Sequence, residues 1–223
     1  MNYDTTTFGS DFAGTNQDEV RTSINGVVGA YNDLYDAINN TFQHSFIDAM
    51  ANLWACPEAK KFFADVKIDM DSIISESNLV FESVVKAMND AANVWSMANG
   101  TVYANVAFTP NPSSINVDGI REEINGVQGV SLTGATTTSR LALEKVNSEV
   151  ASAISKAKLA VASNGFKGGA QSESLQRSLD EIGNAITNVI RALSENVNKR
   201  IQETVELYGD IAVKVSNAFA GNE

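Results

Sequence analysis

His44 and Cys56 are the only histidine and the only cysteine in the chain. They could form a thiolate–imidazole pair if the fold brought them within hydrogen-bond reach. The local pattern points elsewhere. His44 lies between Gln43 and Ser45 on the polar side of an apolar stripe, and Cys56 sits in a turn, where a semi-buried, inert thiol is expected. A metal site needs clustered ligands, and the chain has no His/Cys cluster and no zinc or calcium-loop spacing. Asp65 and Asp69, in DVKIDMDS, share one helix face, the pattern of a solvated acidic surface. Lys167-Gly168-Gly169 lacks the spacing of a phosphate-binding loop. No glutamate is followed three residues on by histidine, so the di-metal motif of helical bundles is missing. No residue is assigned to catalysis, cofactor binding or metal ligation, and the expectation is a non-enzyme that works without cofactors.

Charge narrows the partners. A net charge of −11 opposes nucleic acid, which needs a basic surface to displace counterions, and opposes anionic lipid for the same reason. No apolar run is long enough to span a bilayer, so stable membrane insertion is not expected. A single cysteine allows no internal disulfide. The opening MNYDTTTFGSDFAGTNQDEV has neither a basic n-region nor an apolar h-region, so no cleaved signal is expected.

The elements that would carry any function are helical. Apolar residues recur at steps of three and four from Val20 through Ile24, Val27, Tyr31, Leu34, Ile38, Phe42 and Phe46 to Met50. A second stripe runs from Phe63 through Val66, Met70, Ile73, Val80, Val84, Met88 and Ala91 to Trp95, and a third from Leu175 to Phe219. The three prolines, Pro57, Pro110 and Pro112, fall in two short stretches, leaving long segments free to stay helical. Asn16 with Glu19 reads as a helix start, and Pro57 suits the first position of the next helix. DEVRTSINGVVG at 18–29 matches DGIREEINGVQG at 118–129, which reads as an internal repeat. The expected class is all-α: two tandem antiparallel helical hairpins forming an elongated four-helix bundle. The expected division is a flexible N-terminus at 1–16, a first hairpin at 17–99, a linker at 100–116 and a second hairpin at 117–221. The second hairpin would begin with a short helix at 117–126, followed by a flexible loop insertion near 127–139, where Gly and Thr cluster.

Each hairpin turns on an aromatic, one residue, then something small: Trp54-Ala55-Cys56 and Phe166-Lys167-Gly168. A large ring is unusual in a turn. Its expected use is to fold back and plug the end of the bundle while remaining partly exposed.

Two long antiparallel helices joined through Trp-x-Gly describe the WXG100 (ESAT-6-like) family, and the chain resembles two such units fused. Trp54 keeps the aromatic of the motif with Cys56 in the glycine position; Gly168 keeps the glycine with Phe166 in the tryptophan position. The resemblance implies a non-enzymatic helical interaction protein, a substrate or accessory component of type VII (ESX/Ess-like) secretion. It also implies export without a cleaved signal, with a cytoplasmic stage before export. The implied partners are the secretion machinery or another WXG100-like protein, with a homodimer as a further arrangement. The family's export signal joins the turn to Tyr-x-x-x-Asp/Glu near the end of the second helix. Here Tyr208 is followed by Asp210 two residues on and by Ala212 at the acidic position, while Tyr103 is followed by Ala107. The alternative reading is a helical toxin or adhesin component acting at a host membrane or surface.

Overall fold

The computed structural model describes residues 14–163, 166–167 and 171–220. Residues 1–13 of the expected flexible N-terminus lie outside that range, as does Gly168. The described chain is a helical bundle with short two-residue strands. Helix α1 (Gln17–Tyr35) begins where Asn16 turns extended and its side-chain oxygen accepts the N–H groups of Asp18 and Glu19, satisfying donors that every helix start leaves free. The helix continues through π-helical Asp36–Thr41 and Gln43–Ile47 to a last α turn, α2 (Asp48–Met50). Helix α3 (Pro57–Ala98) opens on proline, at a position that needs no N–H. Helices α4 (Leu132–Ala162) and α5 (Gln171–Ala220) complete the set. The strands are β1 (Gly14–Thr15), β2 (Trp54–Ala55), β3 (Gly129–Val130) and β4 (Phe166–Lys167). β1 pairs antiparallel with β4, and β2 with β3.

The first apolar stripe is buried at every expected position from Val20 to Met50. In α3 the buried row swings to Phe81, Val85 and Ala92, and Val80, Ala91 and Trp95 are half-buried. Steps of three and four do not hold to one face over a helix of 42 residues.

The chain packs as two compact units, and both draw on residues of both expected hairpins. Unit 1 comprises Met1–Asp36, Ile73–Ser113 and Glu149–Ile186. Within it a Cβ on Gly26 of α1 would stand 3.0 Å from Ala160 Cβ of α4, so glycine permits a close helix crossing there. Tyr31 meets the rings of Phe81 and Phe108 at 5.5 and 4.7 Å. Unit 2 comprises Ala37–Ser72, Ser114–Ser148 and Thr187–Glu223, with an aromatic core of Phe42, Phe46, Phe63 and Trp54.

Two expectations are corrected. The repeat at 18–29 and 118–129 is not a structural repeat. Ile24-Asn25-Gly26-Val27 is helical, but no helix forms at 117–126, and Ile124-Asn125-Gly126-Val127 is a tight turn closed by an Ile124–Val127 bridge. Asn125 and Gly126 take φ values of 52° and 77°, the positive pair of a type I′ turn. Gly119 replaces the helix-former Glu19, and Glu123 stands where a helix like α1 would bury its Ser23 counterpart. The loop insertion near 127–139 is also shorter than expected. Helix α4 starts at Leu132, because Ala135 and Ser139 extend its buried row backwards and the Thr136–Thr138 side chains stay at the surface or half-buried.

Residues 101–117 have no helix or strand, yet they are not a free linker. Helix side chains read their backbone. In unit 1 Asn89 donates Nδ2 to Val106 O and accepts Val106 N, at 2.9 and 3.0 Å. Asn78 donates to Asn111 O, and Tyr31 Oη accepts Asn111 N while donating to Asn78. Tyr35 Oη donates to Pro112 O and Arg21 to Ala104 O. In unit 2 Asn39 accepts Ser114 N, and Gln43 both accepts Asn116 N and donates to Asn116 O. Asn39 and Gln43 lie in the π-helical stretches. A step of four overshoots one α turn and falls short of the wider π turn, so the π geometry changes which residues share the strap-facing side.

The expected cost of Asn89→Ala is about 1–3 kcal/mol, because a buried amide that serves two strap backbone groups is lost. Urea unfolding of the variant checks it. A midpoint equal to wild type would remove the strap from the cooperative core.

Candidate functional site: the Trp54 turn

The turn between α2 and α3 is built from the inside. Trp54, Ala55 and Cys56 are all buried, so the expected half-exposed plug is instead a core residue. The Trp54 ring lies 5.5 Å from Phe62 and 5.8 Å edge-on to Phe63. Phe63 in turn meets Phe46, and Phe46 meets Phe42, at 5.5 and 5.2 Å. What the sequence left uncovered is covered by β3: Trp54 stands opposite Val130 and Ala55 opposite Gly129, and Ser131 N donates to Leu53 O at 2.7 Å.

Cys56 supplies the cap of α3. Its Sγ accepts Ala59 N at 3.4 Å, and its carbonyl accepts Lys60 N. Burial pushes the thiol above its ordinary value of 9.0, with the Ala59 N–H pulling the other way. The Trp54 indole N–H exerts a smaller pull in that same lowering direction, yet reaches hydrogen-bond geometry with no acceptor among the described residues. A buried, protonated sulfur that serves as a cap is poorly suited to attack a substrate.

The second turn repeats the backbone construction. Phe166 stands opposite Thr15, and Lys167 opposite Gly14. In both turns the aromatic position faces the residue two before the first of another helix: Thr15 before Gln17, and Val130 before Leu132. A Cβ on Gly134 would meet Ser131 Oγ at 2.7 Å, so the hydroxyl is folded over the first turn of α4. The Phe166 side chain, like Gly168, lies outside what is described.

Tyr208 of α5 comes to the residue that leads into β3. Its Oη donates to Gln128 Oε1 at 3.1 Å. Its hydroxyl is held above the ordinary value by burial first, then by the nearby Cys56 and Glu58. Beyond it every α5 residue from Gly209 to Ala218 is exposed. Leu207, just before Tyr208, and Ile211 and Val215 beyond it recur at steps of four, 43%, 45% and 49% exposed.

The other chemical candidates stay apart from this turn. His44 pairs through Nδ1 with Asp48 one turn along its own helix, and both are exposed. Lys67 pairs with Asp71, and Asp65 and Asp69 point to solvent. Among the described residues no three His, Cys, Asp or Glu side chains gather as a metal would need. Gln128, Gly129 and Val130 were not expected at the site. Asn125-Gly126 between two β-branched residues is a hairpin signal that would have pointed to them.

No family model, curated protein or solved structure matches this chain. The site therefore rests on its geometry: a buried aromatic turn, a sulfur cap, a tyrosine from another helix and an exposed helical tail.

Truncating Trp54 to Ala is expected to cost about 3–5 kcal/mol, the range for a fully buried large aromatic. Trp54→Phe, which keeps a ring against Phe62 and Phe63, is expected to cost clearly less. Denaturant unfolding of the two variants measures both. A pH effect follows from the raised thiol. Its contribution to stability is complete below the unfolded thiol's ordinary value of 9.0 and is lost as pH rises from there through the folded value. Burial raises Tyr31 and Tyr103 as well, with the same sign. Cys56→Ser keeps a capping oxygen and removes one titrating group, so the alkaline fall in unfolding midpoint is expected to be shallower in that variant. An unchanged slope would show that the thiol does not titrate with folding.

Proposed function

We propose that the chain is a non-enzymatic helical interaction protein, similar to two fused WXG100 units and linked to type VII secretion as a substrate or accessory component. In this reading α1–α2 with α3 form one antiparallel hairpin and α4 with α5 form the other, so that one chain supplies the four-helix bundle that family members make by dimerising. The observation that carries the proposal is the hydrogen bond of Tyr208 to Gln128, the residue before the strand that pairs with Trp54 and Ala55. The family's export signal combines an aromatic turn with a tyrosine near the end of a second helix, and here the two belong to different hairpins but share one unit. The cap role of Cys56 also supports it. Cys56 stands at the motif's glycine position as the residue before α3, where its sulfur takes over one of the helix's first N–H groups.

The exposed end of α5 on either side of Tyr208 is the surface offered to a protein partner, with Leu207, Ile211 and Val215 as its apolar row. Export would follow without a cleaved signal, from a cytoplasmic stage. The toxin or adhesin alternative has less behind it, since among the described residues no helix is long and apolar enough to cross a membrane.

Co-expression with a type VII system tests this. Wild type is expected in the medium, and Tyr208→Ala is expected to stay inside the cell with its melting temperature little changed. Ala212→Glu, which restores the Tyr-x-x-x-Glu spacing at an exposed position, is expected to raise export. If wild type and Ala212→Glu both remain cytoplasmic, the secretion reading is wrong.

A further inference from the structure

We propose that Asn125 is a modification site, converted spontaneously to aspartate and isoaspartate through a cyclic imide, and that the turn holding it selects it over the chain's other described Asn-Gly pairs. Asn125 and Gly126 are the two central residues of the turn, and its bonds are made by their neighbours: Ile124 N donates to Val127 O and Val127 N to Ile124 O. The Gly126 N–H and the Asn125 side-chain amide are thus left with no partner among the described residues, and both residues are exposed. A nucleophilic nitrogen and an electrophilic carbonyl carbon lie next to each other in water, and glycine carries no Cβ to obstruct their approach.

The chemistry balances without any redox partner. The Gly126 nitrogen gives up its proton to water and adds to Asn125 Cγ. A new N–C bond forms, and the bond from Cγ to the side-chain nitrogen breaks. That nitrogen takes up a proton and leaves as ammonia. Water then opens the five-membered imide at either carbonyl. One opening gives aspartate, and the other gives isoaspartate, in which the main chain runs through the former side chain. The sum is one water consumed and one ammonia released.

Position gives the change a consequence. Either product adds a carboxylate beside Glu122 and Glu123. Isoaspartate also lengthens the backbone of a turn that lies just before β3, the strand paired with Trp54 and Ala55. The turn is therefore a slow covalent clock whose product loosens the cover of the Trp54 site.

The chain carries its own controls. Asn25-Gly26 has the same flanking residues, Ile and Val, but lies inside α1, where the helix ladder takes the Gly26 N–H. Asn99-Gly100 is guarded by Gly100 N donating to Met97 O at 3.2 Å. Asn164-Gly165 lies outside the described residues and is followed as a separate peptide.

The test is timed incubation of the folded full chain at mildly alkaline pH, with peptide mapping by mass spectrometry and isoaspartate labelling. The expected result is the mass gain of an NH2 replaced by OH, accumulating at Asn125 while Asn25 and Asn99 stay unchanged. Amide exchange at Ser131 is expected to quicken in the converted fraction. Asn125→Gln, which cannot close a five-membered imide, is expected to abolish the gain at that peptide. Gly126→Ala, strained at this φ, is expected to slow it. Equal conversion at Asn25 or Asn99 overturns the proposal, as does an intact Asn125 under conditions that convert the denatured chain.

Discussion

A backbone that runs over the surface of helices must find partners for its N–H and C=O groups, and everything between Gly100 and Leu132 is shaped by that requirement. Residues 101–117 have no ladder of their own. Their partners are side-chain amides and phenols projecting from α1, its π-helical continuation and α3. An Asn or Gln side chain offers one acceptor and two donors on a single planar group, so it can stand in for a neighbouring strand. Asn89 at Val106 and Gln43 at Asn116 do this at both backbone atoms. The strap then delivers the chain to the Asn125-Gly126 turn, and that turn delivers Gly129 and Val130 to the Trp54 turn.

The same requirement accounts for the two aromatic turns. Two residues are too few for a stable strand alone, and β2 gains its partner from the residues that precede α4. Burial of Trp54 follows from this closure: β3 pairs with its backbone, and Phe62 and Phe63 pack on its ring. Cys56 then starts α3 with a weak sulfur acceptor in place of the usual oxygen. The indole is left with no accessible surface, and Tyr208 meets the exposed Gln128 next to β3.

The long helices were legible because their apolar rows repeat. Val20 to Met50 could be written from the sequence residue by residue, and Asn16 and Pro57 marked two starts correctly. The strap was not legible, because periodicity looks at apolar residues and the strap is held by polar ones. A trace existed: Asn39, Asn78 and Asn89 lie inside helices, where asparagine is a weak former and needs another reason to be present. The repeat misled for a physical reason. Ile-Asn-Gly-Val suits a helix when its Gly faces a close neighbour and suits a type I′ turn when its Asn and Gly face water. Only tertiary context, Ala160 in one case and the approach to β3 in the other, decides between them. The Tyr208 contact could not be foreseen from spacing, since it joins residues far apart in the chain.

Residue-resolved amide hydrogen exchange shows whether the helices hold the strap. Slow exchange is expected at Val106, Asn111, Ser114 and Asn116, whose N–H groups are held by Asn89, Tyr31, Asn39 and Gln43, and fast exchange at their neighbours Asn105 and Ala107. Uniformly fast exchange from 101 to 117 would mean that the helices do not hold the strap, and the route by which it builds the Trp54 site would be wrong.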